Sequence, residues 1–256
     1  MARKSTPPSE SISAPIVTGP FHLIYGVYAW ITFLILALLT LAFALVTPGL
    51  ERRRWVVKTG ARTFMRFAGM PLKVKALEKL PDGQCVIVSN HASYLDGLVF
   101  TAALPPRFGF VIKREMAAVP LAGAMLKLIG SEFVERFNRS KGASDARRVL
   151  RNAVSGHSLV FFPEGTFSLA PGLLKFHSGA FTTAARAGCP VIPAVIRGTR
   201  KALPASGMFL RPARIEIEFL PAVTASGEAD DAALELRERS REAILDRLQE
   251  PDLAAT

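Results

Sequence analysis

Hydrophobic and polar positions divide this chain into two regimes. Between Glu10 and Glu51 there is no Asp, Glu, Lys or Arg, and residues 24–46 are apolar almost without a break. Such a run is long enough to cross a bilayer as a helix, with Tyr25, Tyr28 and Trp30 near one end as interface anchors. Over residues 51–67 cations recur every fourth position (Arg54, Lys58, Arg62, Arg66) beside Trp55, Phe64, Met65 and Phe67. That pattern predicts a basic amphipathic helix lying in a headgroup layer. From about residue 70 the apolar runs shorten. Runs rich in β-branched or aromatic residues predict strands at 72–77, 86–89, 107–112, 132–135, 159–162, 191–196 and 214–219. Helical patterns fall between them, at 96–104, 116–128, 143–154, 177–187 and 230–249.

The expected fold class is therefore α/β, with a central mostly parallel or mixed sheet flanked by helices and an N-terminal membrane-associated helical segment ahead of it. Residues 1–20, rich in Ser, Pro and Thr, are expected to form a flexible tail. Residues 21–69 then carry the anchoring apolar helix and the basic helix, and residues 70–256 form the α/β domain. The positive cluster after residue 50 puts that domain on the cytoplasmic face. Whether residues 21–50 span the membrane or dip into one leaflet is left open by the pattern.

The net charge of +11 implies an anionic partner. The cations cluster beside the apolar segment and no nucleic-acid motif is present, so membrane lipids and phosphorylated substrates are expected and nucleic acid is not. Two cysteines, Cys85 and Cys189, suggest no disulfide framework. The four histidines (22, 91, 157, 177) show no metal-ligand spacing, and neither G-x-S-x-G, a Walker A loop nor G-x-G-x-x-G occurs. No bound cofactor or metal is expected.

Candidate chemistry begins where the strand Val86–Val88 stops in Ser89-Asn90-His91. Asp96 lies five residues on, roughly 140° round a helix at about 100° per residue, so the two share no helical face. They meet only if His91 sits in a turn and Asp96 in the first helical turn. A carboxylate on one ring nitrogen would fix the tautomer and leave the other free to take a proton from a hydroxyl. An isolated His/Asp pair would more readily be a His capping a helix start and an Asp balancing the helix dipole; the downstream stretches shift that balance. A second stretch, Gly130 to Arg136, offers a planar guanidinium suited to phosphate. In a third, Val160 to Ser168, Glu164 could accept from a substrate hydroxyl and Gly165-Thr166 could offer backbone N–H groups to an anion. A fourth, Val191 to Ile196, could wall a groove for an apolar chain or be a plain core strand.

In order and spacing these four stretches resemble the glycerophospholipid acyltransferase family, best known through 1-acyl-glycerol-3-phosphate acyltransferases, over roughly residues 70–220. N-H-x-x-x-x-D is matched by Asn90, His91 and Asp96; G-x-x-F-x-x-R by Gly130, Phe133 and Arg136; F-P-E-G-T-R-S by Phe162 to Ser168 with one departure; the V-I-P-like run by Val191-Ile192-Pro193. The resemblance implies transfer of a fatty acyl group from acyl-CoA or acyl-carrier-protein to a lysophospholipid hydroxyl, with His91 as base oriented by Asp96. It implies substrate binding by Asn90, Gly130, Phe133, Arg136, Glu164, Gly165 and Thr166. The departure is Phe167, where the family carries Arg. Lys175, or Lys113-Arg114, could replace that cation. Alternatively the acceptor is another lysolipid or lyso-aminolipid, or the chain is a non-catalytic lipid-binding relative.

Overall fold

The computed structural model describes residues 20–135 and 139–254. The tail expected over residues 1–20 falls outside them but for Pro20, as does Arg136.

Two helices lead the chain, Pro20–Val46 (α1) and Leu50–Phe67 (α2). The sheet is then built from Leu72–Lys75 (β1), Val86–Ser89 (β2), Phe108–Lys113 (β3), Glu132–Val134 (β4), Ser158–Phe161 (β5), Val191–Arg197 (β6) and Ile215–Phe219 (β7). The intervening helices are Asp96–Ala103 (α3), Ala122–Leu128 (α4), Arg139–Val154 (α5), Gly179–Ala187 (α6), Thr199–Ala202 (α7) and Ala229–Leu248 (α8). All the expected strands form, within one or two residues of their predicted ends. β1 stops at Lys75 because Ala76 turns into the left-handed region, at φ 56°, and opens a 3₁₀ turn.

The strand order is β1-β7-β6-β2-β5-β3-β4. Every pairing is parallel except β6 with β7, so the sheet is mixed, as expected. The central strands β2, β5 and β6 are buried on both faces, which is why they read as unbroken apolar runs. Their side chains alternate between two cores. Ile87, Ile192 and Ile196 join the core under α1, α2 and α3, whereas Val86, Val88, Val191 and Val195 join the one under α5, α6 and α8. That settles Val191 to Ile196: it is a core strand, exposed by no more than 1% at Val191, Ile192, Ala194, Val195 and Ile196, and it walls no groove.

The every-fourth cations of α2 also have a use that periodicity did not indicate. Arg54 Nε donates to the Ile129 carbonyl at 2.8 Å, Lys58 Nζ to Leu104 at 2.7 Å and Arg62 Nε to Ala102 at 2.8 Å. Lys58 and Arg62 thereby cover carbonyls that α3 leaves unpaired at its C-terminal end. Arg66, Trp55 and Phe67 remain exposed, while Phe64 and Met65 are buried. α1 runs antiparallel along α2. The rings of Phe33 and Phe64 meet edge-on at 5.2 Å, Tyr28 Oη donates to the Phe67 carbonyl at 3.0 Å, and Gly60 admits Thr40 so closely that an added Cβ would lie 2.1 Å from its Oγ1. The rest of α1 presents apolar side chains outward, Phe21, Ile31, Leu34, Leu38 and Phe43 among them.

Candidate active site

The parallel strands end on one edge of the sheet, and the chain reverses direction across the sheet at β2. From β2 it proceeds to β3 and β4 on one side, returns through β5, and then crosses to β6. In open α/β sheets the crevice beyond the carboxyl ends at such a reversal is where ligands bind. His91 lies there, two residues beyond the end of β2.

Asn90 holds that end down. Its side-chain carbonyl accepts the Ile196 N–H at 2.8 Å and its NH₂ donates to the Ile196 carbonyl at 3.0 Å, so it imitates a strand neighbour and ties β2 to β6. It is 3% exposed. Asn90 is therefore a brace, not the substrate contact expected from the sequence.

The turn that follows is shaped by Asp96, the first residue of α3. One oxygen, Oδ2, accepts the N–H of Ala92 at 2.7 Å and of Ser93 at 2.9 Å, and lies 2.7 Å from His91 Nδ1. A carboxylate only accepts, so Nδ1 carries the proton and Nε2 presents a lone pair. No hydrogen bond to Nε2 forms among the described residues, and the His91 side chain is 19% exposed against 0% for Asp96. The expected meeting, with His91 in a turn and Asp96 in the first helical turn, is realised.

Aromatic rings fix the imidazole plane. Phe162 stacks on it with centroids 4.5 Å apart and an interplanar angle of 23°, and Phe167 meets it edge-on at 4.7 Å. Tyr94 in turn meets Phe167 edge-on at 4.8 Å, and Lys113 Nζ lies 5.9 Å from the Tyr94 ring. A ring therefore stands at position 167, where the resemblance implies a cation, and the ammonium of Lys113, at the end of β3, lies against the far partner of that ring, Tyr94.

Glu164 differs from expectation. It is 3% exposed, and both its oxygens are engaged, Oε1 by the His91 backbone N–H at 2.6 Å and Oε2 by that of Leu174 at 2.8 Å. Buried and turned to the backbone, it joins the loop after β5 to the main chain of His91. Burial pushes its carboxyl up to about 7, against the pull of the two N–H donors. The Asp96 charge adds to the rise and the Arg200 charge opposes it. Gly165, at φ 74°, donates its N–H to the Phe162 carbonyl at 3.0 Å, so that donor is spent inside the turn. Thr166 is exposed beside it. Lys175 is exposed and follows Leu174 directly, which brings its backbone to the same loop cluster.

Two predicted residues stay apart from this cluster. Gly130 ends α4 at φ 69° beside Leu50 and Arg54, at the opposite edge of the sheet from His91, so its role is the turn. Phe133, half-buried in β4, is three strand positions from β2, about 14 Å at the usual strand spacing. Two residues went unpredicted. Ser93, fully buried, donates to the Leu203 carbonyl at 2.8 Å and accepts the Leu95 N–H; a serine just ahead of a helix was a readable signal. Arg200, paired with Glu250 at 2.8 Å, had no signal in the sequence.

Residues 71–197 match the family model described as Acyltransferase. The chain is 36% identical over 134 residues to a chloroplastic 1-acyl-sn-glycerol-3-phosphate acyltransferase of Brassica napus, an alignment covering 51% of this chain and 38% of the plant protein. It is 29% identical over 218 residues to the 1-acyl-sn-glycerol-3-phosphate acyltransferase of Pseudomonas aeruginosa, covering 82% of this chain and 84% of that one. In fold it is similar to the crystal structure of a 1-acyl-sn-glycerophosphate acyltransferase from Thermotoga maritima, with a TM-score of 0.71, 20% identity, and coverage of 89% of this chain and 96% of that one.

Proposed function

Because residues 71–197 belong to the acyltransferase family, we propose that this O-acyltransferase moves a fatty acyl group from acyl-CoA or acyl-carrier-protein to the free hydroxyl of 1-acyl-sn-glycerol 3-phosphate, giving phosphatidic acid. The observation that carries the reading is the 2.7 Å contact of His91 Nδ1 with a fully buried Asp96 at the carboxyl edge of the sheet. The acceptor hydroxyl gives its proton to Nε2 as its oxygen attacks the thioester carbonyl. The tetrahedral adduct then collapses, the C–S bond breaks, and the departing thiolate takes the proton from the imidazolium, which Asp96 has stabilised meanwhile. The names of the relatives support the acceptor. For its phosphate, Lys113 and the segment bearing Arg136 are the cations nearest in the chain to the carboxyl ends of β3 and β4.

The α1–α2 hairpin is the membrane attachment in this reading. α1 is long and apolar enough to cross a bilayer. Its contact with α2 along its length, with α2 packed on α3 in turn, favours immersion in one leaflet, and the cluster of cations after residue 50 is the ground for assigning the α/β domain to the cytoplasmic face.

The test is thiol release and phosphatidate formation with purified chain, acyl-CoA and acyl-carrier-protein donors, and 1-acyl-glycerol 3-phosphate. His91→Ala is expected to lower turnover at least about 1,000-fold, within the range lost when a general base is removed, while keeping its melting temperature and membrane attachment. Near-normal turnover in that variant rejects the reading. Phe167 favours a second one, an acceptor without a phosphomonoester, since its ring takes the place of the family's cation beside His91. Faster turnover of a lyso-aminolipid than of lysophosphatidate would establish it.

A further inference from the structure

Between Glu164 and Glu216 the chain contains no acidic residue. Late in that stretch a loop leaves α7 and returns to β7, and its tip reverses the usual placement of apolar side chains. Met208 is 80% exposed and Phe209 42% exposed, although both stand beside Leu210, which is buried. Exposed apolar bulk at a loop tip has no part in either core.

This loop rests on α1. Trp30 Nε1 donates to the Met208 carbonyl at 2.6 Å, and Phe209 lies so close to Gly26 that a Cβ there would come within 2.8 Å of its ring. Met208 and Phe209 thereby continue the outward apolar surface of α1, next to exposed Ile24, Val27 and Ile31. Cations flank the tip. Lys201, Arg211 and Arg214 form no ion pair among the described residues, and Arg211 Nε is buried with no hydrogen-bond partner. An apolar tip with unneutralised cations on both sides of it in the chain, continuous with an apolar helix, complements an anionic lipid surface.

We infer that residues 205–211 are a second membrane-inserted element, in which Met208 and Phe209 enter the acyl region of the leaflet that receives α1 while Lys201, Arg211 and Arg214 meet anionic headgroups. This rests on the reading of α1 as bilayer-immersed. It gives the domain contacts with the lipid surface at both α1 and the loop beyond β6, which fixes its tilt and faces the carboxyl edge of the sheet toward lipid-borne substrates.

The experiment attaches an environment-sensitive fluorophore to Met208→Cys in the full chain carrying Cys189→Ser, where the remaining thiol, Cys85, is buried. Companion probes at Leu34→Cys on α1 and Glu238→Cys on α8 are compared with it in vesicles of phosphatidylcholine with and without phosphatidylglycerol. The expected result is a blue-shifted emission at 208, quenched by acyl-chain nitroxide lipids and protected from aqueous iodide several-fold relative to position 238, more so with phosphatidylglycerol. Iodide quenching at 208 equal to that at 238, with position 34 protected, overturns the second insertion and leaves α1 in the bilayer. If position 34 is also open to iodide, the membrane reading itself fails, and the loop inference with it. Equal protection in both vesicle types overturns the part assigned to the cations.

Discussion

At the scale of single residues the candidate site divides into a side chain with a free ring nitrogen, His91, and the groups that hold it in place. His91 and Asp96 were legible in the sequence because chemistry restricts what a polar pair can do at the end of an apolar strand. Asn90 and Glu164 turn from the expected substrate contacts to the backbone for a common reason: a polar side chain near a candidate base can face the cavity or the backbone, and burial, which decides between them, is a tertiary property. Glu164 has a measurable consequence. An unfolded Glu releases its proton near 4.5, whereas the folded protein holds it to about 7. The folded state therefore binds more protons across that window, and stability falls as pH rises through it, by up to about 3 kcal/mol for a shift of this size. Below about 4.5 the contribution is fully present. Unfolding free energies of wild type and Glu164→Gln, measured from pH 4 to 8, should differ in slope over the window, with the variant flatter. Parallel curves would show that the buried carboxyl does not titrate there.

At the scale of elements the strand and helix positions were nearly all readable, since period two, period 3.6 and short apolar runs record which faces are buried. What the pattern did not carry was the partner of each polar face. α2 was read as presenting its cations to lipid headgroups, yet Arg54, Lys58 and Arg62 bond to carbonyls of the domain. α5 shows the same blindness. Asp145, 1% exposed, takes Arg114 at 2.6 Å, Arg148 at 2.7 Å and the Glu135 N–H at 3.0 Å, while Arg148 also bonds Glu132 at 2.8 Å. This network fastens α5 to β4 and to the segment leading into Arg136. Asp145→Ala leaves a buried N–H and two guanidinium groups without their shared anion. It should cost about 2 to 3 kcal/mol, below the full penalty of a broken buried pair because both arginines reach solvent. It should also raise KM for a phosphate-bearing acceptor more than it lowers kcat, because the acceptor-side segment loosens while the His91 turn is untouched. Thermal unfolding and steady-state kinetics on one preparation check both, and an unchanged KM would detach the network from the acceptor.

At the scale of the whole molecule, charge and apolar surface offer competing accounts of how the protein is held to a membrane. With a net charge of +11, electrostatic attraction to an anionic leaflet supplies about 1 kcal/mol for each cation near the surface, and it decays within a Debye length of about 3 Å at 1 M salt. α1 supplies far more. Each of its outward Leu, Ile and Phe side chains gains about 1.5 to 3 kcal/mol on leaving water, and among the described residues α1 exposes ten of them. The apolar term wins by a wide margin and does not respond to ionic strength. Membranes carrying the protein should therefore retain it through washes with 1 M salt and with alkaline carbonate, and release it only to detergent. Loss into the salt wash would mean that the outward face of α1 is covered by something other than lipid. The placement of the catalytic edge beside a lipid surface would then have to rest on the basic residues alone.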